Sequence, residues 1–239
     1  MSHSAERGLI ASQLKNGEGI FACDAFLVFS EVSVDLGRDL SGRRIFSRAL
    51  PMLEVPLHTA GALTSSWVNQ KPFAEAWDQV AAMERRGGWA HDFVVKADPD
   101  TVLLPAQLKV HLRSTRLLAE EENQGAGVFF SNCLVPGPLQ FFGALEVVSR
   151  AALRSYGGRG TQCRFDSEPL MGEDMWMQGC LKAIGVAGVK DGDLVTDDYC
   201  PNASAVAAQC FPGRAAFHPR KSVEQWWRCW REATTPLAA

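Results

Sequence analysis

The chain has 239 residues, of which 46% are hydrophobic and 21% are charged, so it carries enough apolar side chains for one substantial core in a single domain. Its formal net charge of −3 argues against a general electrostatic attraction to nucleic acid or to anionic membranes. No window approaches the roughly 18 apolar residues of a membrane span. The polar N-terminus lacks the apolar centre of a signal peptide, and we therefore expect a soluble protein.

The first half of the chain alternates helical and extended patterns. Residues 1–18 predict a flexible N-terminal segment, and residues 19–31, rich in aromatic and β-branched side chains, predict a buried first strand. Apolar residues at helical spacing predict a helix over 71–86, which ends at a glycine pair. A strand over 92–97 follows, and Pro105 begins the next helix.

The second half continues the alternation. A strand is predicted over 127–132, and helices are predicted over 149–156, 172–184 and 222–233. The last helix carries three tryptophans, which we interpret as a packing seam: Trp226, Trp227 and Trp230. Strands that alternate with helices predict an α/β domain over 19–239, with a mostly parallel central sheet flanked by helices.

Seven cysteines are present, without the CxxC pairs that are typical of zinc sites. Cys163, Cys200 and Cys210 lie in polar, loop-like surroundings and are the best disulfide candidates, while the odd count leaves at least one thiol unpaired. The stretch 202–204 reads Asn-Ala-Ser, an acceptor pattern for N-glycosylation that fits a secretory compartment.

Two carboxylates, Asp98 and Asp100, follow the strand over 92–97. Ligands of α/β sheets bind beyond the carboxyl ends of the strands, which is where this pair would lie. Residues i and i+2 of an extended segment share one side, so both carboxylates can face one divalent ion, and hard oxygen ligands suit magnesium or manganese. The same pattern also occurs in ordinary solvated turns, so the pattern alone leaves both interpretations open.

Four stretches together resemble, in order and spacing, the fringe-like β-1,3-glycosyltransferases of family 31. They are FVVKADPDTVLLPAQLKVHL, FFGALEVVSRAAL, GEDMWMQGCLKAIGV and AFHPRK. The resemblance covers residues 73–221 and implies a GT-A-like fold. The arginine-containing nucleotide segment near the N-terminus of that family has no counterpart that aligns.

The resemblance implies an inverting transferase that moves a hexose or N-acetylhexosamine from a uridine diphosphate sugar to a glycan or glycoprotein acceptor. It implies that Asp98, Asp100 and His218 hold Mn²⁺ or Mg²⁺, which neutralises charge on the leaving phosphate. It favours Asp174, beside Glu173, as the base that takes the acceptor proton. Acidic residues in the first turn of a helix are also favoured simply by the helix dipole.

Three further residues are assigned to the donor by the same resemblance or by their position. Gly143 resembles the small-residue segment that lines the donor sugar, where a side chain would collide. Lys96 is either a charge near the phosphates or a solvated lysine, and Trp176 is either a sugar-stacking ring or a core residue. Members of the family usually reside in the Golgi with an N-terminal anchor, so the resemblance implies a Golgi or secretory location, although no anchor is visible.

A second enzyme class fits some of the same letters. Asp98 and Asp100 after an apolar strand, followed by four later residues, resemble the motifs of haloacid-dehalogenase-type phosphohydrolases. Those residues are Ser131, Lys182, Asp193 and Asp197. In that scheme Asp98 attacks phosphorus, Asp100 is the acid and the two late aspartates hold magnesium. A third alternative is a non-catalytic, transferase-like domain that binds nucleotide, sugar or a protein partner.

Overall fold

Helices and short strands alternate along the chain, as the sequence predicts. A computed structural model describes residues 5–51, 68–87, 91–122, 125–134, 137, 139–159, 163, 171–200 and 209–235. The helices are α1 Ala5–Asn16, α2 Gln70–Arg85, α3 Pro105–Glu122, α4 Arg150–Arg159, α5 Glu173–Ala183 and α6 Val223–Thr234. The strands are β1 Phe29–Ser30, β2 Asp35–Arg38, β3 Arg44–Phe46, β4 Arg48–Ala49, β5 Phe93–Ala97, β6 Val102–Leu103, β7 Val128–Ser131, β8 Leu145–Ser149, β9 Ala187–Lys190, β10 Val195–Asp197 and β11 Ala216–His218.

The chain divides into two compact units, where the sequence predicted one domain. The first unit comprises residues 1–49, 97–115 and 192–239, and the second comprises 50–96 and 116–191. None of the helices in the described part of the chain combines the length and apolar character that a membrane crossing requires.

The N-terminal part of the first unit differs from the sequence prediction. Helix α1 replaces the expected flexible segment, because Leu9 and Leu14 are buried and pack into two core clusters. The expected first strand over 19–31 begins instead with a 3-10 turn, Gly19–Ala22. Gly19 has φ of +62°, a left-handed conformation that no extended strand contains, and only the end of the stretch pairs, as β1.

A three-stranded sheet in the order β10-β11-β6 forms the centre of the first unit. Helix α6 packs there through Trp226, which is fully buried and donates from Nε1 to the carbonyl of Thr101 at 3.0 Å. The other two indoles of α6 donate to side chains of the same unit, Ser12 and Glu18. The interpretation of the three tryptophans as a packing seam is therefore confirmed.

The second unit contains a four-stranded sheet in the order β5-β8-β7-β9. Strand β7 is parallel to β9 and antiparallel to β8, so the α/β character is confirmed but this sheet is mixed and not clearly parallel, where the sequence predicted a mostly parallel one. Beside it, the carboxylate of Glu84 on α2 accepts from Arg150 at 2.7 Å and from Arg154 at 2.8 Å, which fastens α2 to α4.

The cysteines are largely oxidised. Disulfides join Cys163 to Cys180 and Cys210 to Cys229, and two further cysteines, Cys133 and Cys200, are also disulfide-bonded. All three candidates named from the sequence are thus in disulfides, while the remaining thiol, Cys23, is free. Burial, followed by the charge of Asp24, raises the pKa of Cys23 to about 11. The glycosylation pattern at 202–204 lies outside the described residues.

Helix α6 begins with a complete capping box, which gives a test of how it is held. Ser222 Oγ accepts from the backbone N–H of Gln225, and the Gln225 side chain accepts from the backbone N–H of Ser222. We expect Ser222→Ala to lower the free energy of unfolding by about 1 kcal/mol, because the N–H of Gln225 loses its acceptor. Urea titration followed by tryptophan fluorescence measures this. Ser222→Asp keeps the acceptor, and an equal loss in both variants would contradict the cap.

Candidate functional site

Asp98 and Asp100 lie in a tight turn and not in an extended segment as the sequence suggested. The backbone N–H of Thr101 donates to the carbonyl of Asp98 at 3.0 Å, and Pro99 occupies the second position, where its fixed φ suits a β-turn. Gln13 of α1 donates to the carbonyl of Pro99 at 3.0 Å. Hydrogen bonds to the carbonyls of Asp98 and Pro99 therefore fix the turn before the chain enters β6.

His218 is the last residue of β11, the central strand of its sheet. On one side β11 pairs with β6, Phe217 opposite Val102, and the N–H of Arg220 donates to the carbonyl of Asp100 at 2.8 Å. On the other side β11 is parallel to β10, with His218 opposite Asp197. The pairing of one strand thus delivers His218 to the turn that carries the two aspartates.

The structure brings together the three residues predicted to bind a metal. Ligand atoms of Asp98, Asp100 and His218 all lie within 4.8 Å of one another. His218 Nε2 is 3.4 Å from Asp100 Oδ1. Two carboxylates and an imidazole form a donor set that suits Mn²⁺ or Mg²⁺, so the residues present fit such an ion.

Behind the histidine lies a partner that the sequence did not assign to this site. His218 Nδ1 is 3.2 Å from Oδ1 of Asp197, whose side chain is almost fully buried. A carboxylate on Nδ1 fixes the ring and leaves Nε2 for a metal, an arrangement found behind many metal-binding histidines. Sequence reasoning considered Asp197 only as a magnesium ligand of the hydrolase, because strand register, not spacing, pairs it with His218.

The cluster is strongly polarised. Burial alone would lower the pKa of His218, but the hydrogen bonds and charges of Asp100 and Asp197 outweigh it and raise the pKa to about 9. Burial would likewise raise the pKa of Asp100, yet its hydrogen bond with His218 holds that pKa below the ordinary value. The two aspartates thus favour the protonated form of His218.

The aromatic side chain of Tyr199 borders His218. The rings of Tyr199 and His218 meet edge to face with centroids 5.5 Å apart, while the Tyr199 side chain is largely exposed. The backbone N–H of Tyr199 donates to Asp197 Oδ1 at 2.9 Å, which fixes the tyrosine at the end of β10. No local motif in the sequence singles out Tyr199, since its position beside His218 depends on the pairing of β10 with β11.

The acidic pair lies in the second unit, at the start of α5. Glu173 is buried and accepts from Lys96 Nζ at 2.7 Å, so Lys96 is neither solvated nor exposed as a free charge. Burial would raise the pKa of Glu173, but the charge and hydrogen bond of Lys96 outweigh it and lower the pKa. Glu173 therefore stays ionised, and its carboxylate is held by the lysine.

Asp174 has a different environment. It is only partly buried, and its carboxylate accepts from the backbone N–H of Met175 at 2.7 Å and from that of Gly143 at 3.4 Å. Burial, and then the charge of Glu173, raise the pKa of Asp174 to about 6. A reachable carboxylate with a pKa near neutral is suited to take and return a proton.

Two donor assignments change with the structure. A Cβ added at Gly143 would lie 2.6 Å from Glu173 Oε1, so the missing side chain makes room for that carboxylate. Trp176 is 2% exposed and donates from Nε1 to the carbonyl of Cys163, within the core. Trp176 is consequently a core residue, and its assignment as a sugar-stacking ring is wrong.

The residues of the phosphohydrolase scheme are distributed differently. Asp193 is largely exposed and pairs with Arg214 at 2.5 Å, whereas Asp197 is bonded to His218. Lys182 is exposed in the last turn of α5. Ser131 is buried in β7. The two late aspartates therefore have different surroundings, one on the surface beside Arg214 and the other buried beside His218.

A scan against protein-family models finds no match for this chain, and a comparison with curated proteins finds none either. The function therefore has to be inferred from the chemistry of the two clusters and from the motifs that resemble family 31.

The contact between Asp197 and His218 predicts a loss of metal affinity without a loss of fold. We expect Asp197→Asn to weaken Mn²⁺ binding by about 10-fold or more, because the neutral amide orients and polarises the imidazole less well. Calorimetric titration with Mn²⁺ measures this. Asp193→Asn is the matched control, since Asp193 pairs with Arg214. We expect this variant to bind Mn²⁺ with the affinity of the wild type. An equal loss in both variants would instead support the hydrolase ligand set.

Proposed function

We propose that this protein is a metal-dependent, inverting glycosyltransferase of GT-A-like architecture. The observation that carries the proposal is the grouping of Asp98, Asp100 and His218 within 4.8 Å, on a turn and a strand end that the family resemblance had selected. The donor would be a uridine diphosphate sugar carrying a hexose or N-acetylhexosamine, and the acceptor a glycan or glycoprotein. The mixed α/β character of both units is compatible with this fold.

The metal-binding side chains have a defined role in such a reaction. Asp98, Asp100 and His218 would hold Mn²⁺ or Mg²⁺, which supplies positive charge to the diphosphate as it leaves. Asp197 keeps the imidazole oriented through Nδ1, so that Nε2 would be left to hold the ion. The turn at Asp98–Thr101 keeps the two carboxylates together without help from the ligand.

Asp174 is the residue best suited to act as the base. In an inverting transfer its carboxylate takes the proton of the acceptor hydroxyl while that oxygen bonds to the anomeric carbon and the bond to the phosphate oxygen breaks. The ion-paired Glu173 is not accessible for this task, since it is buried and bonded to Lys96. We therefore assign the proton transfer to Asp174 alone.

The disulfides support a secretory location. Cytosolic thiols are kept reduced, whereas six cysteines of this chain are disulfide-bonded. A lumen such as that of the Golgi, where nucleotide sugars are used, is consistent with both the oxidised cysteines and the proposed chemistry.

The phosphohydrolase remains the alternative with a specific observation in its favour, the two carboxylates of Asp98 and Asp100. Its nucleophile would have to attack phosphorus, yet His218 approaches the acid of that pair at 3.4 Å and no residue of the hydrolase scheme explains a histidine there. Turnover of an aryl phosphate by the wild type, lost in Asp98→Asn, would favour the hydrolase over the transferase.

Donor binding gives the first test of the proposal. Titration of uridine diphosphate should show binding with Mn²⁺ and none with a chelator, because the positive charge of the ion would be needed to hold the diphosphate. Asp98→Ala and Asp100→Ala should abolish this binding, whereas Asp174→Asn should retain it. Metal-independent binding, or an equal loss in all three variants, would overturn the assignment of roles.

The base gives a second test, by transfer rate. Asp174→Asn should lower the rate of sugar transfer by about 10²–10⁴-fold with donor binding unchanged, the usual effect of removing a base. Tight donor binding without transfer by the wild type to any acceptor would instead support the non-catalytic, transferase-like domain.

The pH dependence follows from the raised pKa of Asp174, which is about 6. The carboxylate accepts a proton only when ionised, so kcat/KM should fall below that pKa, by about tenfold for each pH unit. An unperturbed aspartate would place this fall about two units lower, near the ordinary pKa of about 3.9. A profile that is flat down to that lower range would exclude Asp174 as the base.

A further inference from the structure

A largely buried lysine lies at the start of α5, where it joins three elements of the second unit. Lys96 Nζ, at the end of β5, donates to Glu173 Oε1 at 2.7 Å and to the carbonyl of Gly143. Glu146 Oε1 of β8 lies 3.9 Å from the same ammonium, and the ring of Phe73 lies below it at 4.7 Å. The ammonium is thus enclosed by acceptors and an aromatic face.

Backbone contacts fix the carboxylates on the other side of this lysine. The N–H of Glu173 donates to Asn69 Oδ1 at 2.9 Å, just before α2 begins. Gly143 leaves room for the Glu173 carboxylate, since a Cβ there would lie 2.6 Å from Oε1. The same glycine accepts from Lys96 through its carbonyl and donates to Asp174 through its N–H. Lys96, Glu173 and Asp174 are therefore linked through one residue.

We propose that Lys96 and Glu173 are positioning residues for Asp174. Glu173 places a fixed negative charge beside the Asp174 carboxylate, and Lys96 holds Glu173 in place and partly offsets its charge. Neither residue touches a substrate in this role. The inference rests on the proposed function for the use that is made of Asp174, but the effect of the pair on Asp174 can be measured without any transfer reaction.

The two charges act on Asp174 in opposite directions, which makes the inference specific. The negative charge of Glu173 raises the pKa of Asp174, and the positive charge of Lys96 lowers it. Glu146 of β8 also faces the lysine, and the backbone N–H groups of Met175 and Gly143 also stabilise the Asp174 anion. Packing alone would not produce shifts of opposite sign.

The test is a titration of Asp174 in the metal-free protein, followed by carbon-13 NMR of the side-chain carboxyl groups and assigned with Asp174→Asn. We expect Glu173→Gln to move the midpoint down by about one pH unit, because a like charge is removed. Lys96→Met should move it up by a similar amount, whereas Lys96→Arg retains the charge and should titrate like the wild type. Lys182→Met, on the exposed face of α5, is the matched control and should leave the midpoint unchanged.

Burial of an unpaired Glu173 in Lys96→Met could prevent folding, and the double variant Lys96→Met, Glu173→Gln covers that case. The double variant removes both charges, so it should fold. The titration midpoint of Asp174 in the double variant should lie at a higher pH than in Glu173→Gln. Shifts of the same sign in the two single variants, or no difference between Glu173→Gln and the double variant, would overturn the inference.

Failure of the inference and failure of the proposed function give different results. Opposite shifts of the Asp174 midpoint in a protein that transfers no sugar would support the positioning roles of Lys96 and Glu173 and contradict the transferase. Sugar transfer that depends on Asp174, with an Asp174 midpoint that neither Glu173→Gln nor Lys96→Met moves, would support the transferase and contradict the positioning roles. Where both hold, the acidic limb of the transfer profile should follow the NMR midpoints from variant to variant.

Discussion

The site in the first unit depends on the two neighbours of strand β11. Its antiparallel pairing with β6 sets His218 beside the turn of Asp98 and Asp100, and its parallel pairing with β10 sets the same histidine beside Asp197. A strand has side chains at a period of two, so a slip of one residue would turn His218 to the other face and separate it from both partners. The fully buried Trp226 donates to the carbonyl of Thr101, the last residue of this turn, and so helps to hold the start of β6 in place.

Stability alone is a weak explanation for the ion pair of Lys96 and Glu173. Removing two charges from water is costly, and an apolar pair of similar volume is often at least as stable. In Glu84, Arg150 and Arg154 the fold uses a different arrangement, in which a buried carboxylate meets arginines that remain partly in solvent. Those arginines keep much of their hydration while they tie α2 to α4. Lys96 does not keep its hydration in this way, since its side chain and that of Glu173 are both largely removed from water.

Local signals in the sequence located several helices but missed α1, whose residues were expected to be flexible. Apolar spacing and glycine or proline boundaries located α2, α5 and α6 and the start of α3 to within one residue, because such signals act within a single turn. Composition alone failed for residues 19–31, where Gly17 and Gly19 with positive φ redirect the chain. The roles of Asp197 and Tyr199 depend on strand register, which joins residues about twenty positions apart and leaves no local trace. The direction of β8 against β7 was equally invisible, because an alternation of elements does not fix which neighbours pair.

The electrostatics of His218 explain how Asp98, Asp100 and His218 can lie close together. Two carboxylates in one turn would repel each other, but a protonated imidazole with a raised pKa lies against Asp100 and supplies the compensating positive charge. A metal ion would take the place of that proton on Nε2, so binding would release it and would not require the turn to rearrange. Asp197 remains bonded to Nδ1 in either case and holds the ring in the same orientation. The imidazole therefore offsets negative charge in this turn, which two aspartates in a solvated turn would lack.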